Sequence, residues 1–155
     1  MDKITLSRIC AYAGPAQLAS LAEKAAGGRE AALLKGPEKT MVLLQVREPV
    51  RQSRFYLGEL LAAHCVVELG GIRGMAVLMG DDLEKARAAA VLDAAHSGGF
   101  PGFALVEGEL LALEEARQKE LVQEAAEIRK TRVSFQSLED PDRRDPSYHS
   151  DPLEL

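Results

Sequence analysis

The chain has 155 residues and a formal net charge of -5, with 46% hydrophobic and 5% aromatic residues. That length suits a single core that buries roughly 70% of the surface exposed by the unfolded chain, and the acidic balance excludes the clustered cationic surface on which nucleic-acid binding depends. Cys10 and Cys65 are the only cysteines, with no Cys-x-x-Cys pair and no neighbouring His cluster, so neither a disulfide framework nor a metal centre is expected.

The first residues lack the apolar run of a signal peptide, and no segment approaches the roughly 20 apolar residues of a membrane span. The expectation is a cytoplasmic protein with no membrane or nucleic-acid partner. Helix-forming composition over Thr5 to Tyr12 and Ala16 to Ala26, broken at Gly14-Pro15, predicts a pair of helices. In the second, Leu18, Leu21, Ala22 and Ala25 share one face, and Gly27-Gly28 closes it. A variable connection through Gly36-Pro37 is expected next.

From Met41 the period changes to two. Val42, Leu44 and Val46 alternate with Leu43, Gln45 and Arg47, which predicts a half-buried strand ended by Glu48-Pro49. A short strand over Arg54 to Leu57 precedes a longer one over Ala62 to Leu69, with Ala63, Cys65, Val67 and Leu69 on one side and His64, Val66 and Glu68 on the other. Gly70-Gly71 supplies a tight reversal into Gly74 to Met79, so the pattern is an antiparallel meander.

Asp81-Asp82 then predicts the N-cap of a helix running to about Ala95, with an acidic residue at its third position and a narrow face of Leu83, Ala86, Ala90 and Ala94. The segment from Ser97 to Gly102 is read as a break. The last helix carries Leu113, Leu121, Ala125 and Ile128 as an apolar stripe among charged residues. The fold expected is therefore α+β: an antiparallel meander sheet flanked by helices, with an N-terminal helical pair, a C-terminal amphipathic helix, a single domain over 1–138 and a disordered tail over 139–155, where Asp and Pro dominate.

Candidate chemistry is sparse. Gly98 to Gly102 lacks the Lys-Ser or Lys-Thr of a phosphate-binding loop. His64 and Cys65 are adjacent in a strand and point to opposite faces, so they do not form a thiolate-imidazole pair. Glu59 follows Gly58 between two apolar runs and is either a proton acceptor or a carboxylate that fixes a bend; His64 is either an ion-pair partner of Glu68 or a catalytic base. Arg51 with Arg54, and Arg129, Lys130 and Arg132, are two local basic clusters that suit either a triphosphate or phosphonate, or an ordinary solvated face or protein contact.

The segments Arg54-Phe-Tyr-Leu-Gly-Glu-Leu-Leu, Val66 to Leu69, Gly74 to Asp82 and Leu92-Asp93-Ala94, followed by a charged helix and Thr131-Arg-Val-Ser-Phe135, resemble the PhnG family, the small G subunit of the bacterial carbon-phosphorus lyase system. The resemblance implies a subunit of the core complex that transfers the ribose triphosphate moiety of ATP to an alkylphosphonate with release of adenine. It implies the H, I, J and L types of subunit as partners, the I type above all. It also implies ATP as a substrate of the complex, with no cofactor held by this chain. Two other readings stay open: a self-sufficient small enzyme using Glu59 and His64, and a free-standing interaction module. The apolar residues Leu121, Ile128, Val133 and Phe135, with Arg132 beside them, are the expected partner interface.

Overall fold

A computed structural model describes residues 1–133. The order of elements is α1 (Lys3–Tyr12), α2 (Pro15–Ala26), β1 (Ala31–Arg47), β2 (Arg54–Leu69), β3 (Ile72–Met79), α3 (Leu83–Ser97) and α4 (Pro101–Lys130). The α+β architecture expected from sequence is present. The chain divides into two compact units, Met1–Glu120 and the residues from Leu121 on. The expected tail over 139–155 lies outside the described residues.

Each helix start follows from local chemistry. The Asp2 carboxylate accepts a hydrogen bond from the Thr5 backbone N–H at 2.6 Å and caps α1, and Pro15 opens α2 with a backbone angle already suited to the first turn. Gly27, at φ 59°, ends α2 in the left-handed conformation that glycine adopts without a steric penalty. Asp82 caps α3 by accepting from the Lys85 N–H at 2.9 Å. Glu84 therefore stands at the second helical position, one residue earlier than the sequence reading placed its acid.

The sheet is an antiparallel meander in the order β1-β2-β3. Its strands are longer than expected. β1 starts at Ala31, ten residues before Met41, and absorbs Gly36-Pro37 through register shifts between Leu33 and Lys35 and between Lys35 and Glu38. Gly36 fits there because a Cβ would stand 2.5 Å from the His64 carbonyl oxygen. β2 is one strand from Arg54 to Leu69, so the break expected around Gly58 does not exist. A register shift between Leu44 and Gln45 leaves the pairing continuous, with Gly58 opposite Leu44. β3 pairs only with the second half of β2, from Leu69 opposite Ile72 to Ala62 opposite Met79.

The core sits on one face of the sheet. Ala63, Cys65, Val67 and Leu69 of β2 are buried against α3, and α3 also packs on β3 and α2. The alanines of α3 surround it almost completely: Ala86, Ala88, Ala89, Ala90, Ala94 and Ala95 are all buried, a wider buried surface than the stripe expected. Gly74 of β3 makes the close approach possible. A Cβ there would lie 2.2 Å from the Ala90 carbonyl oxygen and 2.4 Å from the Ala94 nitrogen.

The break expected over Ser97 to Gly102 is three residues, Gly98, Gly99 and Phe100, after which α4 begins at Pro101. Gly102 lies inside the helix. Its missing side chain admits the Ala25 and Lys24 carbonyl oxygens, which would be 2.5 and 2.7 Å from a Cβ. Phe103, Val106 and Leu110 follow at helical spacing and enter the core.

Candidate functional site

Glu59 and His64, the two residues proposed for acid-base work, are held by one uninterrupted stretch of ladder. Glu59 pairs with Leu43, and His64 pairs with Glu38 on one side and Val77 on the other. Five residues of strand separate them by about 16 Å at about 3.3 Å per residue, and an odd separation puts their side chains on opposite faces. They cannot act on one atom. Glu59 is exposed in β2 beside a register shift, where the pairing passes from Gly58 opposite Leu44 to Tyr56 opposite Gln45. The expected ion pair of His64 with Glu68 is replaced by one with Glu38, where Nδ1 lies 3.4 Å from Oε1. The partner lies across the ladder, where side chains directly opposite are nearest neighbours.

The cysteines are core residues. Both are buried and free; burial pushes the Cys10 thiol up to about 12 and raises that of Cys65 as well. Neither is a nucleophile near neutrality. Asp81 pairs with Lys39 at 3.1 Å, which holds its carboxyl below the ordinary carboxylate value through the lysine hydrogen bond. Among the described residues no cluster of three or more His, Cys, Asp or Glu is placed to hold a metal ion.

Two groups that sequence reasoning passed over have positioning roles. Asp93 accepts from the Met75 N–H on the outer edge of β3 at 3.0 Å and pairs with Lys3 at 3.1 Å, so one carboxylate ties α1, α3 and the sheet edge together. His96 hydrogen-bonds through Nε2 to the Met1 carbonyl oxygen at 2.9 Å and meets the Phe103 ring edge-on at 5.0 Å. The signal for Asp93 was its place in the Leu92-Asp93-Ala94 block; nothing local marked His96.

A cleft of about 470 Å³ opens between α2, the start of β1 and α3. Its floor is Ala22, Ala26, Ala88 and Val91, and its rim carries Glu23 and Arg87. Arg29, also at the rim, lies over the Phe100 ring at 4.7 Å from its centroid, a cation-π contact that serves the fold. The cleft brings together neither sequence candidate.

The most distinctive surface is apolar. Met41, Leu43, Tyr56 and Leu57 in the paired ends of β1 and β2, and Met75, Val77 and Met79 on the outer face of β3, are all exposed. Leu121, Ile128 and Val133, three of the expected interface residues, are exposed in the second unit; Arg132 is exposed there too, and Phe135 lies outside the described residues. No helix among the described residues is long and apolar enough to cross a membrane.

No curated protein matches the chain at a significant level. Residues 4–139 do match a family model, the one described as phosphonate metabolism protein PhnG, and since that match spans most of the sequence, including every element from α1 to α4, the chain belongs to the PhnG family.

Proposed function

We propose that this chain is an accessory, non-catalytic subunit of the bacterial carbon-phosphorus lyase core complex. In this reading the complex transfers the ribose triphosphate moiety of ATP to an alkylphosphonate: a phosphonate oxygen bonds to the ribose C1 as the bond from C1 to adenine breaks and adenine leaves. The bond-making chemistry belongs to the I-type subunit. This chain binds the H, I, J and L types, chiefly the I type, and holds no cofactor of its own.

The observation that carries the reading is the extent of exposed apolar side chains on the sheet and on the paired ends of β1 and β2. Large exposed apolar patches mark interaction sites. Membership of a family of phosphonate metabolism supports the choice of complex. The alternative of a self-sufficient enzyme needs Glu59 and His64 together, and they stand on opposite faces of β2. A free-standing interaction module would share the apolar surface but not the partners.

The test is adenine release from ATP in the presence of methylphosphonate. The purified chain alone is expected to release none, and release is expected when the H, I and L types are added. Omitting this chain from the mixture should abolish it. Release by the isolated chain at the rate of the assembled complex would overturn the accessory reading, and failure to co-purify with any of those subunits would leave only an interaction module.

A further inference from the structure

β3 ends at Met79, opposite Ala62, but β1 and β2 run on as a two-stranded ribbon, Met41–Arg47 against Leu61–Arg54. Met41, Leu43 and Tyr56 lie on one face of this ribbon, with Glu59 opposite Leu43 and Gln45 opposite Tyr56, and Val42, Leu60 and Phe55 lie on the other, as the register requires. Strands that are apolar on both faces are ordinarily covered on both. Here Leu43 is 61% and Tyr56 63% exposed, and an isolated two-stranded ribbon is marginally stable in water.

The tip of the ribbon is ordered and cationic. The Glu48 carboxylate accepts from the backbone N–H groups of Val50 and Arg51, both at 2.6 Å, and the Glu48 N–H donates to the Ser53 carbonyl at 2.9 Å. Glu48 is thereby spent on the turn. Arg47 and Arg54 stand directly opposite each other in the ladder, a placement that costs stability between like charges, and Arg51 lies in the turn between them. None of the three enters an ion pair among the described residues. In a chain of net charge -5, this is a local reversal of sign held at the end of an apolar arm.

We propose that the β1–β2 ribbon is a docking arm that inserts into a protein partner, whose cleft is apolar along its walls and carries carboxylates where it meets Arg47, Arg51 and Arg54. The inference rests on the subunit reading above and deepens it. An apolar arm with two faces needs a cleft, which a small anion does not supply. A second copy of this chain is a poor occupant: it carries the same net charge and the same arginine tip, and several of its carboxylates, Asp81, Glu107 and Glu114 among them, are engaged in ion pairs.

The experiment uses the full chain co-expressed with the H, I, J and L types, compared in two variants. Leu43→Ser with Tyr56→Ser removes apolar contact, and Arg51→Glu with Arg54→Glu reverses the tip. All four side chains are exposed, so circular dichroism should show the free chain folded in both. Each variant is expected to weaken capture by the partner complex at least about tenfold, as for anchors at an interface centre, and the arginine reversal should also remove most of the salt dependence of binding. Should the Leu43/Tyr56 variant unfold, the tip variant decides alone.

Unchanged capture of both variants alongside normal capture of the wild-type chain would overturn the docking arm and leave the subunit reading standing. If the wild-type chain joins none of those subunits, both fall. Sedimentation of the free chain as a dimer that the Leu43/Tyr56 variant dissociates would assign the arm to a second copy, and binding of the free chain to anionic phospholipid vesicles that the same variants abolish would assign it to a membrane surface; either result overturns the proposal.

Discussion

Gly74 of β3 and Ala94 of α3 touch so closely that a Cβ on the glycine would lie 2.7 Å from the alanine Cβ. This contact sets the distance between the sheet and the central helix. Both neighbouring atoms of the α3 backbone, the Ala90 oxygen and the Ala94 nitrogen, are closer still, so no side-chain rotation relieves the clash.

Gly74→Ala is therefore expected to destabilise the chain by about 1–3 kcal/mol or more, the usual range for overpacking a core. Gly58→Ala is the control. Nothing lies within 4 Å of a Cβ there, and the change should move stability by less than about 1 kcal/mol in either direction. Equilibrium urea denaturation of both variants measures the difference; equal stability would show that α3 moves away from the sheet without cost.

Acid sensitivity should centre on Glu114. Its carboxyl is held below the ordinary Glu value of 4.5, first by the Tyr12 hydroxyl, which donates to it, and then by Gln118 and Arg8; the Arg8 guanidinium lies 2.7 Å away. A carboxylate depressed in the folded state contributes stability that is present above its unfolded value and lost as pH falls through the folded one. Glu114→Gln should thus lower stability at pH 7 and flatten the fall below about pH 4.5, leaving the part due to Asp2, Asp81 and Glu107, which are lowered too. The Tyr12 phenol is raised, by burial first and then by Glu114, so its contribution persists to pH 10.0 and fades only above it. Denaturant midpoints across pH 3–11 test both limbs, and a Glu114→Gln profile parallel to wild type would remove the cluster from the acid response.

The alternation of Val42, Leu44 and Val46, the Gly70-Gly71 reversal and the Asp82 cap were legible because each is local: a period, a turn or a cap is written within a few residues. Gly36, Gly58 and Gly102 misled for the opposite reason. Each reads as a break, yet Gly36 and Gly102 sit inside elements because another segment's carbonyl needs the space, and Gly58 sits at a register shift inside one strand. Such causes lie 28 to 77 residues away in the chain, as the contacts of Gly36 with His64 and of Gly102 with Ala25 show, and local pattern does not contain them. The partner of His64 was missed because Glu38 lay in what was read as a connection.

Glu59 and His64 should behave as surface groups of the free chain. Glu59→Gln is expected to change stability by less than about 0.5 kcal/mol, and His64→Ala by less than about 1 kcal/mol, since its pairing with Glu38 is partly exposed. Phosphonate-dependent adenine release per assembled complex should stay within about twofold of wild type in both. A loss of several orders of magnitude at normal subunit stoichiometry would place the affected residue among the reacting groups, because removal of an acid or base costs on that scale.

The last prediction concerns the second unit, where Ile128 is 63% and Val133 68% exposed and neither enters the buried core. Helix α4 reaches Lys130 with two local pairs, Arg117 with Glu120 and Lys130 with Glu127, each worth only a few tenths of a kcal/mol. Apolar residues among them gain most by burial on a partner, about 1.5–3 kcal/mol for a side chain of the size of Phe135. The proposed contact of Leu121, Ile128, Arg132, Val133 and Phe135 with the I-type subunit then predicts that Phe135→Ala weakens capture at least about tenfold, the factor that about 1.4 kcal/mol represents, while the free chain keeps its circular dichroism. Ile128→Ser should do the same, and removal of 140–155 should do neither. Unchanged capture in both Phe135→Ala and Ile128→Ser would exclude this segment from the interface, and unfolding of the free chain would return it to the protein's own core.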